Sequence, residues 1–294
     1  MHTPLLQGIR ILSLALNLPG PAALQRCRQM GATCTKLEPP NLSSAPSSDP
    51  MCIYSPAGYR VLHEGIHVEQ VNLKTEAGQA HLHQHLAQTD VLITSFRSSA
   101  MGKLGIDWHT LQARHPHLSL VAIYGDVNAP DEAGHDLTYQ AANGLVTSLA
   151  LPTTLVADMA GALMTSEAVL QALLYQKLHG HGCYLPVGLG QAAQWMAQPR
   201  TDYAMFGAQS AVGGSHVGYR VYRCADGYAA LAALEPHFFM RLAQQVGFDA
   251  TATNAMTNEA NAQAIQTWCS TLHCEALNAL ALAHDLPLVT LPQA

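Results

Sequence analysis

The chain has 294 residues, of which 49% are apolar and 12% charged, and its 14 Lys+Arg and 20 Asp+Glu give a formal net charge of −6. This balance, without any Lys/Arg block, excludes a nucleic-acid-binding face, and the high apolar content excludes a mainly disordered chain. Charged residues are about half as frequent as in typical soluble domains, in which they make up roughly 25% of the chain. Much of the chain should therefore be buried, in a core or against a partner chain.

The first half of the chain alternates short apolar runs with helical patterns. Strands are predicted at residues 8–15, 32–37, 91–94 and 118–124, and helices at 22–30, 75–88 and 108–113. Residues 39–50 are loop by composition. Alternating strands and helices predict an α/β fold with a doubly wound, mostly parallel, Rossmann-like sheet. Such sheets bind ligands beyond the carboxyl ends of their strands.

The second half changes character after an apolar helix at residues 160–178. A hairpin is predicted from residues 219–222 and 228–233 around an Asp-Gly pair, followed by helices at 236–246 and 261–283. We therefore expect a large α/β domain over residues 1–200 and a smaller α+β domain over residues 201–294.

The N-terminal segment and the cysteines predict a cytoplasmic protein. No basic region precedes the first apolar run, which Arg10 interrupts, so the segment is not typical of a secretory signal. No stretch reaches the roughly 18 consecutive apolar residues of a membrane span. The seven cysteines contain no CxxC pair, which favours free thiols in a reducing compartment.

The densest group of chemically capable residues is Gly134-His135-Asp136, before a helix predicted at residues 137–149. An imidazole and a carboxylate at a helix N-terminus suit acid–base work beside backbone N–H groups that favour developing oxyanions. The alternative interpretation is that Asp136 is a helix cap and His135 a loop residue.

Two further acids have the same ambiguity. Asp158 precedes the long apolar helix, and Glu235 follows an apolar strand and precedes Pro236. Helix capping is the default interpretation of both, because acidic residues are enriched in first turns.

The sixteen histidines raise the question of a metal site. His81 and His85 share a face of a predicted helix, whereas His83 does not. No acidic or cysteine partner lies nearby in the sequence, so we expect no metal site. Neither GxGxxG nor GxxxxGK[ST] occurs, so no phosphate-binding loop of those types is predicted.

Several segments together resemble a known family. The chain contains, in order, GIRILSLA, MGATCTKLEPP, LKTEAGQAHL, DVLITSFR, LGIDWHTLQARHPHLSLVAIYG, AGHDLTYQAANGL, ADMAGALM and YRVYRCADGYAALAALEPHFF. In this order they resemble the family III CoA-transferases and α-methylacyl-CoA racemases, from about Leu5 to Pro292. The resemblance implies a large α/β domain, a small domain and an interlocked homodimer. It also implies an acyl-CoA substrate, with coenzyme A as part of that substrate and no other cofactor.

The resemblance assigns roles to the acid–base residues. In the transferases, the aspartate matching Asp136 forms an acyl anhydride. In the racemases, residues matching His135 and Asp158 exchange the proton α to the thioester, and the glutamate matching Glu235 supports the histidine. All three racemase positions are filled, which favours a 2-methylacyl-CoA racemase over a transferase. The physical requirement is a base on one face of the substrate and an acid on the other.

The chain departs from the family in its cations and at its end. Pro39 stands where family members usually carry an arginine that meets CoA phosphates, which leaves Arg97, with Arg60 and Lys103 as helpers. The returning C-terminal segment of the family is also expected to be missing. A third hypothesis, beside racemase and transferase, is therefore a non-catalytic family member that has lost CoA binding.

Overall fold

A computed structural model describes residues 4–41 and 46–293, and the chain divides into two compact units, Met1–Ala197 and Gln198–Ala294. The strands of the first unit are β1 (Arg10–Ser13), β2 (Thr33–Glu38), β3 (His67–Gln70), β4 (Val91–Thr94), β5 (Ser119–Tyr124) and β6 (Tyr184–Gly188). Its helices are α1 (Pro19–Gln29), α2 (Pro50–Tyr54), α3 (Pro56–Leu62), α4 (Glu76–Leu86), α5 (Ser98–Leu104), α6 (Trp108–Arg114), α7 (Asp136–Ala142), α8 (Val156–His179) and α9 (Leu189–Thr201), whose last turn runs past the division.

The six strands form one parallel sheet in the order β3-β2-β1-β4-β5-β6, which confirms the predicted doubly wound α/β class. Every residue of β4 and β5 is buried, because helices cover both faces of these central strands. Val169 of α8 packs in the core of one face, and Leu82 of α4 packs in the core of the other. The chain order reverses between β1 and β4, so the sheet has its switch point there.

Both edge strands of this sheet are absent from the sequence prediction. β3 reads His-Val-Glu-Gln and none of its four residues is buried, while β6 contains Pro186 at the other edge. An edge strand has one neighbour and little apolar burial, so it lacks the apolar run that marks a central strand. The loop predicted at residues 39–50 is described only in part, since residues 42–45 lie outside the described ranges.

The second unit contains α10 (Pro236–Val246), α11 (Glu259–Ser270), α12 (Cys274–His284) and the strands β7 (Tyr219–Cys224), β8 (Gly227–Ala232) and β9 (Leu288–Pro292). The antiparallel order β7-β8-β9 contains the predicted hairpin, with Ala225 and Asp226 as its two-residue loop. Phe239, Ile265 and Leu277 are buried in the core that the helices form with this sheet.

Two predicted helices are too long. The helix expected at residues 137–149 ends at Ala142, and Gly144 follows in a left-handed conformation with φ 70°. The single helix expected at 261–283 is two helices, because Asp226 Oδ1 accepts the backbone N–H of Cys274 at 2.7 Å and so caps a new start. Periodicity continues across this break, so the pattern alone does not reveal it.

All seven cysteines are free thiols. Among the described residues, no helix is both long enough and apolar enough to cross a membrane.

Candidate active site

A cavity of about 330 Å³ lies where β1, β4 and β5 end, at the switch point of the sheet. Leu16 and Asn17 line it from the loop after β1, and Ser95 and Arg97 line it from the loop after β4. The backbone N–H of Leu16 donates to Ser95 Oγ at 3.1 Å, which joins the two loops across the switch point. The cavity therefore has the position that the sequence analysis expected for a ligand site.

His135 lines this cavity immediately before α7. Its backbone N–H donates to Thr138 Oγ1 at 3.1 Å, and its carbonyl accepts the Thr138 hydroxyl at 2.8 Å. These reciprocal bonds close the first turn of α7, so the backbone that carries the imidazole has a defined position.

Gly134 makes room for a tyrosine that the sequence analysis did not select. A Cβ atom on Gly134 would lie 2.5 Å from the hydroxyl oxygen of Tyr139, and one on Gly125 would lie 2.2 Å from it. Tyr139 lines the same cavity as His135. Burial, and then the charges of Asp158 and Asp126, raises its pKa, so the hydroxyl remains a hydrogen-bond donor at neutral pH. The available signal in the sequence was the presence of Gly125 and Gly134, but only the fold places both glycines against the Tyr139 ring.

Asp136 is buried, and both of its carboxylate oxygens accept hydrogen bonds. Oδ1 accepts the backbone N–H of Asp158 at 3.0 Å, and Oδ2 accepts Gln140 Nε2 at 2.5 Å. The Asp158 N–H belongs to the first turn of α8, one of the donors that a helix leaves without an internal partner. Asp136 thus joins the start of α7 to the start of α8.

Asp158 lies in the first turn of α8 and lines the cavity beside His135. Burial, with the negative charge of Asp136 as the second cause, raises the pKa of Asp158 to about 7. A carboxyl group of this pKa exists as acid and as base at neutral pH, which suits a residue that donates and accepts protons. Of the predicted acid–base residues, His135 and Asp158 line the cavity, whereas Asp136 is buried and does not line it.

The predicted phosphate-binding cations do not all line one cavity. Arg97 lines the cavity of His135, whereas Lys103 lines a different cavity of about 980 Å³ with Lys74 and Arg114. Arg60 is exposed on α3.

Glu235 belongs to the second unit, where it is exposed and its carbonyl accepts the Phe239 N–H at 3.0 Å at the start of α10. This is the first backbone hydrogen bond of the helix, and the Glu235 side chain makes no capping hydrogen bond to the described residues of α10, so the side-chain capping that the sequence favoured is not observed.

A buried ionic cluster, which was not predicted from the sequence, contacts the loop after β1. The Lys36 ammonium lies 2.8 Å from Glu38 Oε1, 2.6 Å from Asp49 Oδ2 and 2.9 Å from His63 Nε2, and its side chain has no exposed surface. Asp49 Oδ1 also accepts the backbone N–H of Asn17 at 3.0 Å, so the cluster holds the cavity-lining loop after β1. The available signal was a Lys-x-Glu pair on one face of a buried strand, since charges there need partners.

These features define an α/β protein that places acid–base groups at the switch point of a doubly wound sheet. The sequence pattern described as CoA-transferase family III matches residues 6–292. The chain belongs to this family, whose members are enzymes, CoA-transferases and racemases, that act on CoA thioesters.

Relatives of both kinds are similar to the chain. Succinate–glutarate CoA-transferase of Agrobacterium fabrum is 28% identical over 276 residues, which cover 85% of this chain and 68% of that protein. α-Methylacyl-CoA racemase of Mus musculus is 26% identical over 262 residues, which cover 83% of this chain and 65% of that protein. The chain thus spans about two thirds of the length of these relatives.

The fold is shared with a solved structure. A CAIB/BAIF family protein from Brucella suis superposes with a TM-score of 0.80 and 20% sequence identity, and the match covers 100% of this chain and 85% of that one.

Proposed function

We propose that the protein is a racemase of 2-methylacyl-CoA thioesters that works by removing and returning the proton at C2. The observation that carries the proposal is that two aspartates have different environments. Asp136 is buried with both oxygens in hydrogen bonds, whereas Asp158 lines the cavity with His135 and has a pKa of about 7. A carboxylate committed to two donors is a poor nucleophile, while an acid with a pKa near 7 is well suited to proton transfer.

The reaction requires one group on each face of the substrate. His135, as the neutral imidazole, takes the proton from C2, and the C–H electron pair moves into an enolate of the thioester. The Asp158 carboxylic acid then returns a proton to C2 from the opposite face. The other enantiomer follows the reverse path, with the Asp158 carboxylate as base and protonated His135 as acid. Tyr139, which lines the cavity, is the proposed donor to the enolate oxygen.

Coenzyme A enters as part of the substrate, and no separate cofactor is proposed. Arg97 is the proposed contact for its negative charges, because its side chain lines the same cavity as the acid–base pair. The role of Glu235 stays a prediction of the family resemblance. The cytosol stays the predicted compartment, which the seven free thiols support.

The test is isotope exchange in D₂O with each enantiomer of a 2-methylacyl-CoA. The proposal expects the wild-type protein to incorporate deuterium at C2 and to interconvert the enantiomers. His135→Gln should abolish removal of the C2 proton of one enantiomer, and Asp158→Asn should abolish it for the other. His109→Gln, on the surface helix α6, is the matched control and should exchange as the wild type does. Absence of exchange despite measured acyl-CoA binding would overturn the proposal.

CoA transfer between acids is the second candidate, and the 28% identity to a succinate–glutarate CoA-transferase favours it. In this reaction the Asp136 carboxylate attacks the thioester carbonyl, CoA leaves as the thiolate, and an acyl anhydride forms. Hydroxylamine added with acyl-CoA should then convert Asp136 to a hydroxamate that peptide mass spectrometry locates. An unmodified Asp136 in a sample that exchanges deuterium at C2 supports the racemase instead.

We also propose that the chain is a homodimer, supported by an exposed apolar stripe along α8. Four leucines spaced seven, four and four residues apart form it, with 41–69% of each exposed: Leu163, Leu170, Leu174 and Leu178. Such a stripe is more typical of an interface than of a solvated surface. Light scattering should give twice the chain mass of 31.4 kDa, and Leu174→Asp should give the monomer. Leu282→Asp, on α12 of the second unit, is the control and should not change the mass.

A further inference from the structure

Three histidines surround one carboxylate on the outer edge of the first unit. Glu69 Oε2 lies 2.7 Å from His81 Nε2, while Glu69 Oε1 lies 2.8 Å from His67 Nε2 and 3.4 Å from His85 Nε2. The ligand atoms of Glu69, His81 and His85 all lie within 4.8 Å of one another. These three residues, called the edge cluster below, take no part in the proposed reaction, and His67 contacts the cluster through Glu69.

The fold supplies the edge cluster from two elements in a regular way. His67 and Glu69 are two residues apart on β3, so their side chains leave the same face of the strand. His81 and His85 are four residues apart on α4, so they are neighbours on one face of the helix. Their rings meet edge to face, with centroids 4.9 Å apart. Glu69 and the two helix histidines therefore meet between the edge strand and the helix.

We propose that the edge cluster binds one zinc ion through Glu69 and the Nε2 atoms of His81 and His85. Two imidazole nitrogens and one carboxylate are a ligand set that zinc takes, and a water molecule completes its tetrahedral shell. Bonds of about 2.0–2.1 Å put neighbouring ligand atoms roughly 3.3 Å apart in a tetrahedron. The 2.7 Å contact between Glu69 and His81 needs to lengthen by about half an ångström to meet this spacing, whereas the 3.4 Å contact with His85 is already close to it.

The surroundings leave the edge cluster accessible to a cation. His67 is 68% exposed and His81 is 41% exposed, so an ion reaches the site from solvent. Arg10 lines a cavity together with His85. Its guanidinium donates to Gln88 Oε1 at 3.0 Å. Burial alone would raise the pKa of Glu69, but the hydrogen bond from His81 and the contacts with His85 and His67 lower it.

Zinc binding changes the protonation of the imidazoles. Each Nε2 that donates to Glu69 must give up its hydrogen, either to solvent or by a shift of the neutral ring to the Nδ1–H tautomer. Affinity should therefore fall as the pH decreases through the histidine range.

The same helix supplies a matched control. His83 lies between His81 and His85 in sequence but contacts other residues, with Nδ1 3.1 Å from His115 Nε2 and Nε2 2.7 Å from Arg114 Nη1. Another group that could bind a metal lies in the second unit and, unlike the edge cluster, contains thiols: Cys224, Asp226 and Cys274. The experiment must show which of these groups binds the ion.

The experiment is titration of the metal-free full chain with Zn²⁺ and, for spectroscopy, with Co²⁺. Wild type should bind one equivalent at pH 7.5, and His81→Ala and Glu69→Gln should each weaken binding by about 10-fold or more, whereas His83→Ala should stay within about twofold. Co²⁺ should show tetrahedral visible absorption without a thiolate charge-transfer band. Far-ultraviolet circular dichroism checks that each variant is folded.

Three outcomes would overturn the assignment. They are absence of binding to the folded wild type, equal loss in His83→Ala, and a thiolate band that disappears in Cys224→Ser. Each of them is independent of racemase activity.

Discussion

Asp136 Oδ1 accepts the backbone N–H of Asp158 at 3.0 Å, so one acidic residue holds the helix turn that carries the other. The contact has two consequences. It orients the start of α8 toward the cavity, and it places a negative charge beside the Asp158 carboxyl, whose pKa it helps to raise.

The first prediction concerns this coupling of the two aspartates. Asp136→Asn should lower the pKa of Asp158 by about one unit, because the nearby charge disappears while burial remains. Carboxyl ¹³C NMR titration of the two proteins measures the shift directly. Asp107→Asn, which removes the capping carboxylate of α6, should leave the titration of Asp158 unchanged. An unaltered pKa in Asp136→Asn would show that burial alone is responsible.

The second prediction follows from the raised pKa of Asp158 and concerns stability. The folded state holds this proton up to about pH 7, whereas the unfolded chain releases it near pH 4. The ionised group therefore destabilises the fold progressively as the pH rises from about 4 through about 7. Asp158→Asn should raise the free energy of unfolding at pH 8 by about 1–3 kcal/mol, with little gain at pH 4.

Urea denaturation at the two pH values measures this difference. Asp107→Asn again serves as the control, and it should lower stability at pH 8, because hydrogen bonds to Thr110 lower the pKa of Asp107. Equal gains at both pH values in Asp158→Asn would contradict the electrostatic explanation.

The third prediction concerns the buried cluster of Lys36, Glu38 and Asp49. Lys36→Met removes the cation and leaves two buried carboxylates, so it should cost about 3 kcal/mol or more at pH 7. The loss should shrink as the pH falls toward 4, because protonation removes the unpaired charges. Chemical denaturation measures it, and Lys177→Met, which replaces an exposed lysine of α8, should change stability by less than about 0.5 kcal/mol. A small, pH-independent loss in Lys36→Met would contradict this prediction.

The fourth prediction compares two glycines. Gly134→Ala places a Cβ 2.5 Å from the Tyr139 hydroxyl oxygen, so it should cost about 1–3 kcal/mol and displace the ring from the cavity. Gly102→Ala, in α5, has no atom within 4 Å of its new Cβ and should stabilise the protein by about 0.5–1 kcal/mol. Thermal unfolding of both variants measures the two changes in stability. Equal effects would show that the packing of Tyr139 is not responsible for the loss in Gly134→Ala.

Much of the fold was predictable because central strands carry a local signal. The runs that became β4 and β5 are buried on both faces and therefore consist of consecutive apolar residues. The edge strand β3 has no such run, so it was not predicted, and this also affected the prediction about a metal site. Without β3, Glu69 had no assigned position, and His81 and His85 seemed to lack an acidic partner.

The sequence by itself determined the family, the α/β class and the acid–base candidates His135 and Asp158, because short motifs and apolar periodicity are local properties of the chain. Only the tertiary structure decided their environment. It buried Asp136 with both carboxylate oxygens in hydrogen bonds, and it put Asp158 and His135 on one cavity. Burial and charge proximity depend on contacts between residues far apart in sequence, so pKa values and ligand sets follow from the folded chain alone.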